Sequence, residues 1–105
     1  MTLQEFRNLL LTITDKVYHF EAFKEALGQY IVWQEIGGSA LHGSGQRQEK
    51  VKRIQVELYT ENEFESLLDE LMEALESADV AFEEPVTTYD ADTKCIRHII
   101  ECEVV

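Results

Sequence analysis

Apolar residues recur at helical intervals near the amino terminus, where Leu3, Phe6, Leu9, Leu10 and Ile13 fall on one side of a 3.6-residue turn. Thr2 and Glu5 stand at the spacing of a capping box, in which each side chain satisfies the other's backbone N–H, so the pattern predicts a helix over 2–14. The helical period stops at Asp15. Val17, Tyr18, His19 and Phe20 favour a strand, and residues 21–28 read as a helical turn or a connection. The β-branched and aromatic run Tyr30-Ile31-Val32-Trp33 predicts a strand over 29–35 that ends at Gly37 and Gly38. Residues 36–49 are polar and rich in glycine, which predicts a long loop.

Strict alternation returns over 50–60, with Ile54, Val56 and Leu58 on one face and Arg53, Gln55, Glu57 and Tyr59 on the other, the signature of a half-buried strand. Thr60 and Glu63 repeat the capping-box spacing. Behind them Phe64, Leu67, Leu68, Leu71 and Leu75 form an apolar stripe between acidic residues, predicting a helix over 61–78. The remainder, 80–104, predicts a hairpin turning at 90–93, with Pro85 marking an edge or a bulge in its first strand. These elements predict a single α+β domain, 1–105. It would hold a mainly antiparallel sheet of about four strands, two helices packed on one face, and a long β-hairpin loop.

Composition narrows the class of function. At 105 residues and 45% hydrophobic content the chain can build one core without metal or disulfide support. It has no apolar run approaching the roughly 20 residues of a membrane span, and its first residues lack the basic-then-apolar order of a secretion signal. The expectation is an intracellular protein with no membrane partner. Net charge is −12 and unevenly placed: residues 1–53 hold seven Lys/Arg against six Asp/Glu, and residues 54–105 hold two against fifteen. An acidic body of this kind argues against direct nucleic-acid binding, which needs cations facing phosphate.

Candidate chemistry is sparse. Cys95 and Cys102 lie seven residues apart on one predicted strand, on opposite faces and roughly 23 Å apart, so they cannot bond to each other. His98 and Cys102 share a face but stand about 13 Å apart on a strand, too far for one metal. His19 and His42 sit in separate segments. Ser39 and Ser44 flank His42, yet a glycine-rich loop does not hold a nucleophile and base in place, and the segment lacks the Gly-Lys-Ser/Thr ending of a phosphate-binding loop. The carboxylates of 61–76 interleave with leucines as on any solvated helix face. No catalytic, cofactor or metal residue is therefore assigned. The only basic cluster is Arg47, Lys50, Lys52 and Arg53, where the long loop enters its strand, and in an oligomer it could lie on the acidic helix of the next subunit.

The order of these segments resembles a known family. A short amino-terminal helix is followed by Tyr-Ile-Val-Trp-Gln-Glu at 30–35 and a long polar loop. Arg-Ile-Gln-Val-Glu-Leu-Tyr-Thr at 53–60 then runs into an acidic amphipathic helix and a final hairpin. Nearly the whole chain is similar in pattern to the small tail completion proteins of long-tailed bacteriophages and prophages. These are also termed tail terminator, head-to-tail joining or minor capsid proteins. The helical character of 21–29 departs from the plain connection of that pattern. The resemblance implies a non-enzymatic ring, typically a hexamer, that caps the tail tube and presents a surface to the head connector. It implies as partners further copies of the chain, the tail tube protein and a head-completion protein, met in the host cytoplasm and then in the virion tail. Arg47, Lys50, Lys52, Arg53 and Trp33 are the candidate interface residues, with 37–50 as an arm that orders on contact. The alternative is a small cellular adaptor of the same fold that binds one protein without catalysis.

Overall fold

The computed structural model describes residues 1–22, 28–43, 46–62 and 66–105, with 38–43 and 46–50 described through their backbone. The chain runs α1 (Leu3–Leu11), β1 (Val17–His19), β2 (Tyr30–Gly43), β3 (Gln46–Thr60), α2 (Leu67–Ser77), β4 (Ala81–Phe82), β5 (Val86–Asp90) and β6 (Cys95–Val104). It is one α+β domain with two helices and a six-stranded mixed sheet.

Local chemistry accounts for the helices. At the start of α1 the Glu5 amide donates to Thr2 Oγ1 at 3.0 Å and the Thr2 amide to Glu5 Oε1 at 3.1 Å, the reciprocal bonds of a capping box. The α2 helix ends in a Schellman turn: the Val80 amide reaches the Leu75 carbonyl at 3.0 Å, and the Asp79 amide reaches that of Glu76 at 3.1 Å. Asp79 takes the left-handed position of that turn at φ 57°, which glycine usually fills. Val80 and Leu75 are both buried beside it and supply the hydrophobic contact such an end calls for. The helix expected from residue 61 is described from Leu67, and its second capping box, through Glu63, falls outside the described residues.

The sheet order is β1-β2-β3-β6-β4, with β5 also paired to β6. One face carries Ile31 and Trp33 of β2, Ile54, Val56 and Leu58 of β3, and Ile100, Cys102 and Val104 of β6. Phe6 and Leu10 of α1 and Leu71 and Leu75 of α2 pack on it, closing a core in which Ile54, Val56, Leu58 and Ile100 are fully buried. Each fully buried aliphatic side chain there is worth roughly 1.5–3 kcal/mol relative to exposure.

Three expectations need correction. The sheet has six strands rather than about four, and it is mixed, because β1 runs parallel to β2 with Tyr18 opposite Val32. A parallel partner is reached through a crossover and leaves no hairpin signature in the sequence. The first strand of the final hairpin is also divided. Proline has no N–H to give a ladder, and the chain around Pro85 separates β4 from β5, each pairing with β6 on its own.

The larger correction concerns residues 36–49, expected as a loop. Strands β2 and β3 continue through it, with Gly38 opposite Lys52, Ala40 opposite Lys50 and Gly43 opposite Gln46. Polar residues and glycine suppress the period-2 signal, but beyond Lys52 no third strand flanks the pair among the described residues, and a two-stranded ribbon requires no apolar face. Residues 44–45 at its tip, and most of the 21–28 connection, lie outside the described residues.

Candidate functional site

The ribbon follows from where its neighbours stop. β1 pairs with β2 only as far as Trp33, and β6 pairs with β3 only as far as Lys52, opposite Val104. Beyond those points β2 and β3 have each other alone among the described residues. From Val51 back to Gln46 the ribbon adds roughly 20 Å at the usual rise of a strand, and the molecule measures 50 × 26 × 23 Å. The pairing shifts register between Glu35 and Gly37 and again between Ala40 and His42. Gly37 takes φ +129° at the first of these bulges, a conformation that glycine adopts at least cost.

The predicted interface residues fall in three places. The backbones of Arg47 and Lys50 lie on β3 within the ribbon, opposite His42 and Ala40. Lys52 and Arg53 stand at its base, where β6 ends. Arg53 Nη2 donates to Glu101 Oε2 at 3.1 Å across the sheet, an exposed pair worth well under ~1 kcal/mol. Trp33 is not at the surface. It is 3% exposed, with its ring against Phe6 at 5.9 Å, because the alternation of β2 turns it to the helix-covered face. It is a core residue.

Beside the ribbon base is a cleft of about 260 Å³, lined by Arg53, Ala81, Phe82, Glu83, Glu101, Cys102 and Glu103. Cys102 is 1% exposed, and burial pushes its thiol up to about 12, so it remains a neutral apolar group at ordinary pH. Cys95 is buried on the opposite face of β6, and both cysteines are free. His98 donates to or accepts from Thr87 at 2.9 Å, and burial lowers its pKa. Ser39 and His42 lie on β2, and Ser44 is outside the described residues. Among the described residues no three His, Cys, Asp or Glu side chains converge in a way that could hold a metal ion, and no helix is long and apolar enough to cross a membrane.

The helix-free face of the sheet carries a polar network that no motif announced. Glu57 accepts from Gln55 Nε2 at 2.6 Å, from the Tyr59 hydroxyl at 2.8 Å and from Arg97 Nη2 at 2.5 Å. Burial works against its charge, but the bonds from Arg97, Tyr59 and Gln55 prevail and hold the carboxyl below its usual value. Burial, followed by the bond to Glu57, raises the Tyr59 phenol far above its own. The carboxylate stays charged and the phenol neutral near pH 7, so neither is poised to move a proton. The ring of Tyr59 stacks on Tyr30 at 4.6 Å, extending this patch across three strands.

A second feature absent from the sequence reading is an aromatic stack at the end of β1. His19 lies on Trp33 at 4.1 Å and under Phe20 at 4.0 Å, with Nε2 at 2.7 Å from Glu35 Oε1. Phe20 has φ +74° and is 57% exposed. The stack sits where the outer edge of β2 loses its neighbour. The period-2 pattern places His19 and Trp33 on one face only once the parallel pairing is known.

The architecture is that of a helix-backed sheet with a projecting ribbon. No known family model matches the chain, and neither does any curated protein.

Proposed function

We propose that this chain is a structural assembly protein of long-tailed phage or prophage virions, whose copies form a ring that caps the tail tube and joins it to the head. The observation that carries the reading is the ribbon. Its strands run well past the pairing of β6, and it holds Arg47, Lys50, Lys52 and Arg53 at and beyond the edge of an otherwise acidic molecule. An ordered projection of this kind is useful to a protein whose work is to contact others. The groups with displaced pKa values serve packing: Glu57 and Tyr59 are locked in their own network, and Cys102 is inert.

In this reading the partners are further copies of the chain, the tail tube protein and a head-completion protein, and the work is done in the host cytoplasm and in the finished tail. The test is to mix the purified chain with tail tube protein and examine the product by electron microscopy and light scattering. Rings, and tubes of fixed length closed at one end, are expected. A chain that remains a monomer at high concentration and leaves tube growth unchanged would overturn the reading.

A further inference from the structure

Sheet edges are where strands of another molecule can add, and proteins usually blunt them with proline, lysine, bulges or short strands. The two edges of this sheet differ. β2 is covered by β1 only at Ile31, Val32 and Trp33. From Gln34 to Gly43 its outer side has no strand beside it among the described residues, and the stretch contains no proline, lysine or arginine. Two register shifts and the charge of Glu35 are the blunting devices among its described residues. On the far side, β5 pairs with β6 and has no strand on its outer side among the described residues, with Val86 59% and Tyr89 66% exposed. Pro85 confines that open ladder to Val86–Asp90.

The edges also differ in charge. Residues 46–53, which back the β2 edge, hold Arg47, Lys50, Lys52 and Arg53 against a single acid, Glu49. Residues 81–92 hold Glu83, Glu84, Asp90 and Asp92 and no base. Within one copy the two edges cannot meet, because β3 and β6 stand between β2 and β5, a separation of roughly 14 Å. Three successive antiparallel pairings separate β2 from β5, so β5 runs antiparallel to β2. Val86 lies level with Val32, so a neighbour rotated about an axis tilted from the strands, which also shifts it along them, would present β5 to the open part of β2 in the antiparallel sense.

We propose that copies of this chain associate head to tail by strand addition, with β5 of one copy docking along the unpaired outer edge of β2 in the next. The contact joins unlike surfaces, so repetition closes a ring or extends a filament. The inference rests on the assembly reading above and specifies its interface. The exposed carboxylates of α2, Asp69, Glu70, Glu73 and Glu76, are the competing seat for the ribbon. They offer charge alone, since a helix satisfies its own backbone, whereas the β5 edge offers charge together with unpaired backbone groups.

The test is sedimentation velocity across concentration and salt on the wild type and two folded variants. One reverses the ribbon (Lys50→Glu with Lys52→Glu) and the other reverses the acidic edge (Glu83→Lys with Glu84→Lys). Each alone is expected to shift association to at least about tenfold higher concentration. An equimolar mixture is expected to recover it, because each ribbon then meets an edge of opposite charge. Amides of Val86–Asp90 are expected to gain exchange protection in the assembled wild type, and Tyr89→Lys to weaken assembly on its own.

A mixture no tighter than its components, or no gain of protection on β5, would overturn the proposal. Loss of assembly in Glu73→Lys with Glu76→Lys, with the edge variant unaffected, would move the ribbon onto α2 and leave the assembly reading standing. A wild type that stays monomeric, even with tail tube protein present, would overturn both.

Discussion

Strand β3 passes through two environments. Its second half, in the body, alternates Ile54, Val56 and Leu58 into a core where all three are fully buried, while its first half, in the ribbon, carries Arg47, Glu49 and Lys50 over the same kind of backbone. The ladder to β2 runs along both halves, unbroken in the body and shifted in register at the junction and again in the ribbon. The larger change is beside it, where β6 flanks β3 from Lys52 onward and, among the described residues, no third strand flanks the ribbon. Burial makes the body stable and intolerant of substitution, whereas the ribbon has little to lose in stability and a surface to offer.

Substitutions graded along this strand and its neighbours sharpen that contrast. Leu58→Ala removes a fully buried side chain from the core, and a loss of about 2–5 kcal/mol is expected from urea unfolding. A loss below ~1 kcal/mol would mean that the body is not close-packed there. Arg97→Ala, on the helix-free face, strips a charged donor from a carboxylate whose side chain is only 12% exposed, and a cost of about 2 kcal/mol is expected.

The same network has a pH signature. Folding lowers the pKa of Glu57 from its ordinary 4.5, so its contribution is full above that value and is lost as pH falls through the folded one. Unfolding measured from pH 7 to pH 3 is expected to show a smaller acid-side loss in Glu57→Gln than in the wild type. Identical slopes would remove Glu57 from the account of acid stability.

At the junction, Gly37→Ala places a side chain at φ +129°, with nothing within 4 Å to clash. The expected cost is backbone strain of about 1 kcal/mol, which opens the ribbon and leaves the body intact. Amide exchange beyond Gly37 should then accelerate about fivefold while that of Ile100 stays constant. Val51→Ala, just past the last β6 pairing, is expected to change global stability by less than about 0.5 kcal/mol. A larger loss in thermal unfolding would show that the ribbon shares in the cooperative core.

The body was the legible part. Thr2 with Glu5 marked the start of α1, the leucine stripe marked α2, and the alternation at 54–58 gave the buried face of β3, because each rests on periodicity or on a contact a few residues away. The rest depends on partners far along the chain. Val17, Tyr18 and His19 favour a strand, but their pairing with Ile31, Val32 and Trp33 is parallel and unmarked. Without it, Trp33 passes for a surface aromatic rather than the buried base of a stack with His19. The ribbon was hidden for a different reason: a two-stranded ladder is held by its backbone bonds and needs no apolar period, so glycine and polar residues at 37–49 read as a loop. The Glu57 network was visible only as alternating residues until β6 placed Arg97 opposite Tyr59 and within reach of Glu57.

The central claim is that the ribbon serves association and the body serves stability, and one variant separates them. Ser39 and Val51 are paired across the ribbon, so residues 40–50 can be replaced by an Asn-Gly turn that closes the hairpin in register. Sedimentation velocity on this shortened chain, at concentrations where the wild type associates, is the direct test. A folded monomer with a melting temperature within a few degrees of the wild type is the predicted result, and a shortened chain that assembles as the wild type does would contradict it.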